Sequence, residues 1–264
     1  MKREIKNYGF NPDIEIKDDE YRFGSLSTEV INPSASWTEF LPIYEPQAEK
    51  YETWGCTVWG GQNQIEIYFK KVFGFEPNYN EIFNYVLAKV GPGGANPHTT
   101  YETFRKSGLI DHGLIPFPDT YEKFRNTDIT SFLPKGQEWL NEYEFGHEWI
   151  TNTTKENIKG LLKFSPIGVG VTAWIEDEGL YIDDGQPNTH WCVAFNALDT
   201  PKGIVLEVFD SYDHSIKKLH PNHNISVAKR ILVKKKLNPM ITEYRQKGFW
   251  KKTLLLVRQF LLWK

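Results

Sequence analysis

Cys56, His190 and Asp210 stand in that order, 134 residues from thiol to imidazole and 20 more to the carboxylate. A thiol, an imidazole and a carboxylate make a nucleophilic relay: one attacks, the second moves the proton, the third orients the second. Separation along the chain is no obstacle, because folding brings such groups together. Cysteine attacks as thiolate, and its ordinary pKa of about 8.5 leaves only a few per cent ionised at neutral pH. A helix N-terminus and a neighbouring imidazolium would favour the anion. A lone buried cysteine is more often a small core residue, and a histidine opening an apolar strand is more often structural. Order and spacing together tip the reading towards catalysis.

These three groups need elements to hold them. Between Cys56 and Phe73 the apolar residues Val58, Ile65, Phe69 and Val72 recur near helical spacing, interrupted by Gly60 and Gly61. Each glycine costs roughly 1 kcal/mol against alanine in a helix, so the pair implies close packing there or a late helix start. Helices are also predicted over Tyr79–Val90, Thr100–Ser107 and Thr154–Lys163, the last capped by Thr153 or Thr154. Beyond them Ile167–Trp174, His190–Leu198, Gly203–Asp210 and Val227–Val233 are β-branched, apolar and bounded by turn residues, which reads as an antiparallel sheet. One short strand is expected near Asp13–Ile16. Helices first and strands second imply an α+β fold. The expected organisation is an arm over 1–40, a body over 41–220 divided near 150 into a helical and a β lobe, and a basic extension over 221–264. The cleft would have Cys56 on one wall and His190 on the other.

Several segments between residues 40 and 215 resemble papain-like cysteine peptidases. Trp54-Gly55-Cys56-Thr57-Val58-Trp59 is similar to the nucleophile segment that opens the family's central helix. Gly93-Gly94 resembles its substrate-binding double glycine, and Thr99–Ile110 the helix that follows. Lys155–Ala173, Thr189-His190-Trp191-Cys192-Val193 and Phe209-Asp210-Ser211-Tyr212 are similar to its later helix and strand, its histidine strand, and the segment carrying the third member. The resemblance implies a helical N-terminal lobe and an antiparallel sheet or barrel flanking the cleft. It also implies an acyl-enzyme on Cys56, His190 as base and acid, Asp210 as orienting group, and Gly93, Gly94 and Tyr212 around the substrate. Gln47, nine residues before Cys56, is the candidate oxyanion donor; the commoner spacing of six falls on Lys50. Asp stands where the family has Asn, Thr57 and Trp191 replace an aromatic and a small residue, and Tyr212 stands for a shielding tryptophan. About 55 residues precede the nucleophile, which with the missing disulfide cysteines implies a virus-encoded or intracellular branch, as in bacteriophages, with no zymogen step.

Composition sets the remaining limits. Aromatics at 15% and hydrophobics at 40% exclude a disordered chain. Two cysteines cannot make a disulfide scaffold, and a Cys56–Cys192 bridge would remove the nucleophile. No signal peptide or spanning segment is present, so a cytoplasmic location (host cytoplasm or virion if virus-encoded) is expected. Residues 221–264 carry eleven Lys or Arg against Glu243 alone, a net of +10 on a remainder of −13. Such an end docks on the protein itself, on nucleic acid or on an anionic membrane. Residues 249–264 read as an amphipathic helix that meets the body, a membrane surface or a partner protein. Nucleic acid is not expected, because Lys234-Lys235-Lys236 lacks interleaved aromatics. No cofactor is expected, and no metal: His214, His220 and His223 cluster without enough further ligands. The expected partner is a peptide or protein substrate. Alternatives are a cell-wall amidase or endopeptidase, and an inactive scaffold of the same fold.

Overall fold

The computed structural model describes residues 8–11, 16–17, 20–22, 24–212 and 216–236. Among these described residues there are six α-helices: α1 Cys56–Phe73, α2 Glu81–Leu87, α3 Pro97–Ser107, α4 Tyr121–Arg125, α5 Leu133–Glu142 and α6 Lys155–Leu161. Eight strands among the described residues follow or interleave them: β1 Tyr143–Ile150, β2 Ile167–Val171, β3 Glu176–Asp177, β4 Leu180–Tyr181, β5 His190–Thr200, β6 Gly203–Phe209, β7 Ile216–Leu219 and β8 Ile225–Lys235. They form one sheet in the order β1-β8-β2-β5-β6-β7-β4-β3. The pairings are antiparallel except β4 against β7, so the sheet is mixed and open, not the antiparallel sheet or barrel expected. The short β4 lies between β7 and the edge strand β3, running the same way as β7.

Helix α1 is the shared element. Val58 and Trp59 join the apolar cluster of the helical half, with Phe83, Tyr85 and Phe124. Ile65, Ile67 and Phe69 join the larger cluster against the sheet, with Val169, Trp191 and Val193. Burial all round is why its hydrophobic stripe reads as broad and includes Gln62, Asn63 and Gln64. Its two glycines answer the sequence question by contact. A Cβ on Gly60 would lie 2.9 Å from the Trp191 ring, and one on Gly61 2.6 Å from Phe104. They let α1 seat closely on β5 and α3, and the helix starts at Cys56.

Strand β8 lies between β1 and β2 and pairs with both, so residues 225–235 are interior to the sheet. Lys229 and Arg230 are buried there, Arg230 paired with Glu148 at 2.7 Å. Part of the basic end is thus spent on the protein's own acids. The segments at 13–15 and 249–264, and His214, lie outside the described residues. Among the described residues no helix is long and apolar enough to cross a membrane.

Candidate active site

Cys56 is the first residue of α1, behind Gly55, and is fully buried. Gly55 is obligatory in another way: a Cβ there would lie 2.3 Å from the Trp59 ring one turn on. Burial pushes the Cys56 thiol well up; the main-chain groups of Trp191, the residue after His190, and of Thr57 oppose this, and the charges of Asp210 and Glu52 add to the rise. Burial thus works against the thiolate that a helix N-terminus and an imidazolium were expected to favour. Cys192, also buried, is a second free thiol, so no bridge removes the nucleophile.

His190 opens β5 and Asp210 follows β6, so pairing of these two strands brings both to one end of a hairpin. The imidazole Nε2 bonds Asp210 Oδ1, and both side chains are fully buried. Nδ1 is buried and has no hydrogen-bond partner among the described residues. Trp174 and Tyr8 stand edge-on to the ring, with centroids at 5.5 and 5.3 Å. Burial alone would raise the Asp210 carboxyl, yet His190 and Lys217 hold it below the usual range. Trp191, large where a small residue was expected, fits because Gly60 and Gly168 leave room on either side. Thr57 is buried and shares a 3.0 Å hydroxyl contact with Thr100 of α3.

Gln47 is brought to the same place despite its unusual spacing. Its backbone N–H donates to Ser211 O, its Oε1 accepts from Ser211 Oγ at 2.9 Å, and Thr53 Oγ1 donates to its carbonyl. Its Nε2 is left aimed at a main-chain carbonyl, that of Tyr8, at 3.0 Å. Gln62, by contrast, is engaged at Asn80 and Asn84.

That carbonyl belongs to an arm that crosses the site. Tyr8 N–H donates to Thr189 O at 3.1 Å, Ala95 N–H donates to Gly9 O at 2.9 Å, and Phe10 bridges Ala95 in parallel. Gly94, with φ of 74°, backs directly onto Gly9, whereas Gly93 faces open space. Tyr212 stands 6.5 Å from the His190 ring and 4.7 Å from Tyr8. Residues 8–11 thus occupy the strip bounded by Gly94, Thr189 and Gln47, where sequence reading had placed only an irregular arm.

Sequence reading missed Lys217, Ser211 and Tyr8. Lys217 carried a signal: in Ile216-Lys217-Lys218-Leu219 strict alternation puts it on the face of Leu219. It also missed Glu45, Glu81 and His112, whose ligand atoms lie within 4.8 Å of one another. Burial pushes Glu81 up to about 7, while the Glu81 carboxylate raises His112 to about 9.

No protein-family model and no curated protein sequence matches the chain. Solved structures do. Xylellain, a cysteine protease from Xylella fastidiosa, superposes with a TM-score of 0.62 at 14% identity, covering 90% of this chain and 99% of that one. Bromelain from Ananas comosus in complex with an inhibitor gives 0.55 at 15%, covering 77% and 98%. The clostridial cysteine protease Cwp84 after propeptide cleavage gives 0.60 at 13%, covering 75% of this chain and 56% of that chain, little more than half its length. The chain therefore has the α+β fold of the papain-like cysteine proteases.

Proposed function

We propose that the chain is a cysteine peptidase that hydrolyses peptide or isopeptide bonds through an acyl-enzyme on Cys56. One observation carries the reading: His190 is bonded to the Asp210 carboxylate through Nε2 while its buried Nδ1 has no hydrogen-bond partner among the described residues, and a buried cysteine opens the helix that packs on the same strand. His190 Nδ1 takes the Cys56 proton, and the sulfur attacks the substrate carbonyl carbon. Gln47 Nε2 donates to the resulting oxyanion, as it now donates to the Tyr8 carbonyl. His190 returns the proton to the leaving amine, and the same base then activates water to release the acid. Gly93, Gly94 and Tyr212 flank the substrate. Displacing residues 8–11 frees the Gln47 amide and the Gly94 backbone for substrate.

The test is covalent labelling with an irreversible thiol-directed peptidyl epoxide. Labelling lost in Cys56→Ala and kept in Cys192→Ala supports the peptidase. Equal, slow labelling of both thiols points instead to an inactive scaffold of the same fold. A docking role for residues 249–264 is a separate proposal, read by vesicle flotation of a chain ending at residue 240, which spares the interior strand β8. Flotation unchanged from the full chain would reject it.

A further inference from the structure

Asp210 has a second partner. Lys217 lies on β7, whose residues alternate exposed and buried, and its side chain points inward at only 2% exposure. Nζ donates to Asp210 Oδ2 at 2.6 Å and to the Tyr212 carbonyl at 2.6 Å. It also sits over the faces of Trp174, at 5.0 Å, and Tyr181, at 5.8 Å. Removing a lysine from water is costly, and an apolar residue would fill this inward position at no such cost. The position is justified by what the ammonium touches. It occupies the carboxylate oxygen that His190 does not use, and it ties down the main chain two residues after Asp210.

We propose that Lys217 is a positioning residue of the active site, a buried cation that fixes Asp210 and cancels its charge. Among the described residues, the charged and titratable groups facing Asp210 are His190 of β5, Lys217 of β7, and the thiols of Cys56 on α1 and Cys192 on β5. An unbalanced carboxylate there over-stabilises an imidazolium and works against the Cys56 thiolate. With Lys217 in place, Asp210 orients the ring without adding net charge. A carboxylate then serves where the resemblance leads one to expect a neutral amide.

The inference rests on the peptidase reading, and a charge-balance cycle tests it. With a peptidyl substrate, Lys217→Met is expected to lower kcat by about ten- to a hundredfold with little change in KM. The alkaline limb of its pH profile moves upward, because the uncompensated carboxylate retains the imidazolium proton. Asp210→Asn alone leaves the ammonium unbalanced and moves that limb downward. The double variant Asp210→Asn/Lys217→Met is expected to recover activity above either single one, an outcome that lost packing does not produce. Additive losses in the double variant, or an unmoved profile in Lys217→Met, overturn the proposal. Lys217→Gln, which keeps volume and a donor, is scored in the same way should Lys217→Met fail to fold. If the unaltered protein shows no turnover, the peptidase reading fails separately. The same cycle is then read from the pH course of the His190 imidazole 15N resonances, and shifts of the signs given above are still required.

Discussion

At Gln47 a single side chain shows how the site is held. Its side-chain oxygen and main-chain N–H are both committed to Ser211, which leaves the Nε2 donor turned to the Tyr8 carbonyl, with Glu52 Oε1 at 3.5 Å. Gln47→Ala removes that donor and is expected to lower kcat by about 10²- to 10³-fold, with KM moving less, as steady-state kinetics would record. A wild-type kcat in this variant would strike Gln47 from the mechanism. Cys56, His190 and Asp210 could be named as candidates from the sequence because their residue types are few and their order is informative; the structure bonds His190 to Asp210. Lys217 and Tyr8 were not, since each reaches the site from a distant segment and neither belongs to a local motif. Gln47 was legible only as a candidate, because the Thr53 and Ser211 contacts that fix it depend on tertiary structure.

The elements were read more reliably than their neighbours in space. Helix α1 and strands β2, β5, β6 and β8 carry strong periodicity or unbroken β-branched runs, and the structure has them. Strand β1 was missed because its sequence, Tyr-Glu-Phe-Gly-His-Glu-Trp-Ile, buries His147 and Glu148 where a half-buried strand would show polar residues to solvent. Two separate buried contacts, Lys229 on His147 and Arg230 on Glu148, make that burial tolerable. The contact between α1 and β5 sets the height of Cys56 relative to His190, and Gly60 sets the contact. In Gly60→Ala a Cβ 2.9 Å from Trp191 has to push the helix or the ring. The expected cost, roughly 1–3 kcal/mol, exceeds the roughly 1 kcal/mol that alanine returns as helix propensity. Urea unfolding should register a net loss, and a stabilised variant would show that α1 can shift freely.

For the molecule as a whole, acid sensitivity is built into the sheet beside β8. His147 is 1% exposed, donates Nε2–H to Glu102 Oε1 at 3.0 Å, and accepts from Lys229 Nζ on Nδ1 at 3.0 Å. Burial pushes it down to about 3, with Glu102 opposing and Lys229 assisting. Below the ordinary histidine pKa of about 6.5 the unfolded chain takes up a proton that the folded one refuses. Stability contributed by this group is therefore complete above about 6.5 and is lost towards pH 3, at up to about 1.4 kcal/mol per pH unit. His147→Gln is expected to flatten that slope in denaturant titrations run from pH 7 to 4. An unchanged slope would place the acid sensitivity elsewhere.

If the peptidase reading proposed above holds, residues 8–11 fill the groove of the chain they are joined to, and the resting protein is its own ligand complex. A tethered competitor acts at a local concentration in the millimolar range, whatever the dilution of the protein. Short peptides added from outside must outbid it, so their apparent KM measures the arm as much as the groove. Gly9→Ala tests this without shortening the chain, since a Cβ at φ 109° would fall 1.9 Å from Trp54 O and evict the segment. The expected result is a KM for short substrates reduced more than about tenfold with kcat little changed, the ratio by which self-occupancy had masked the site.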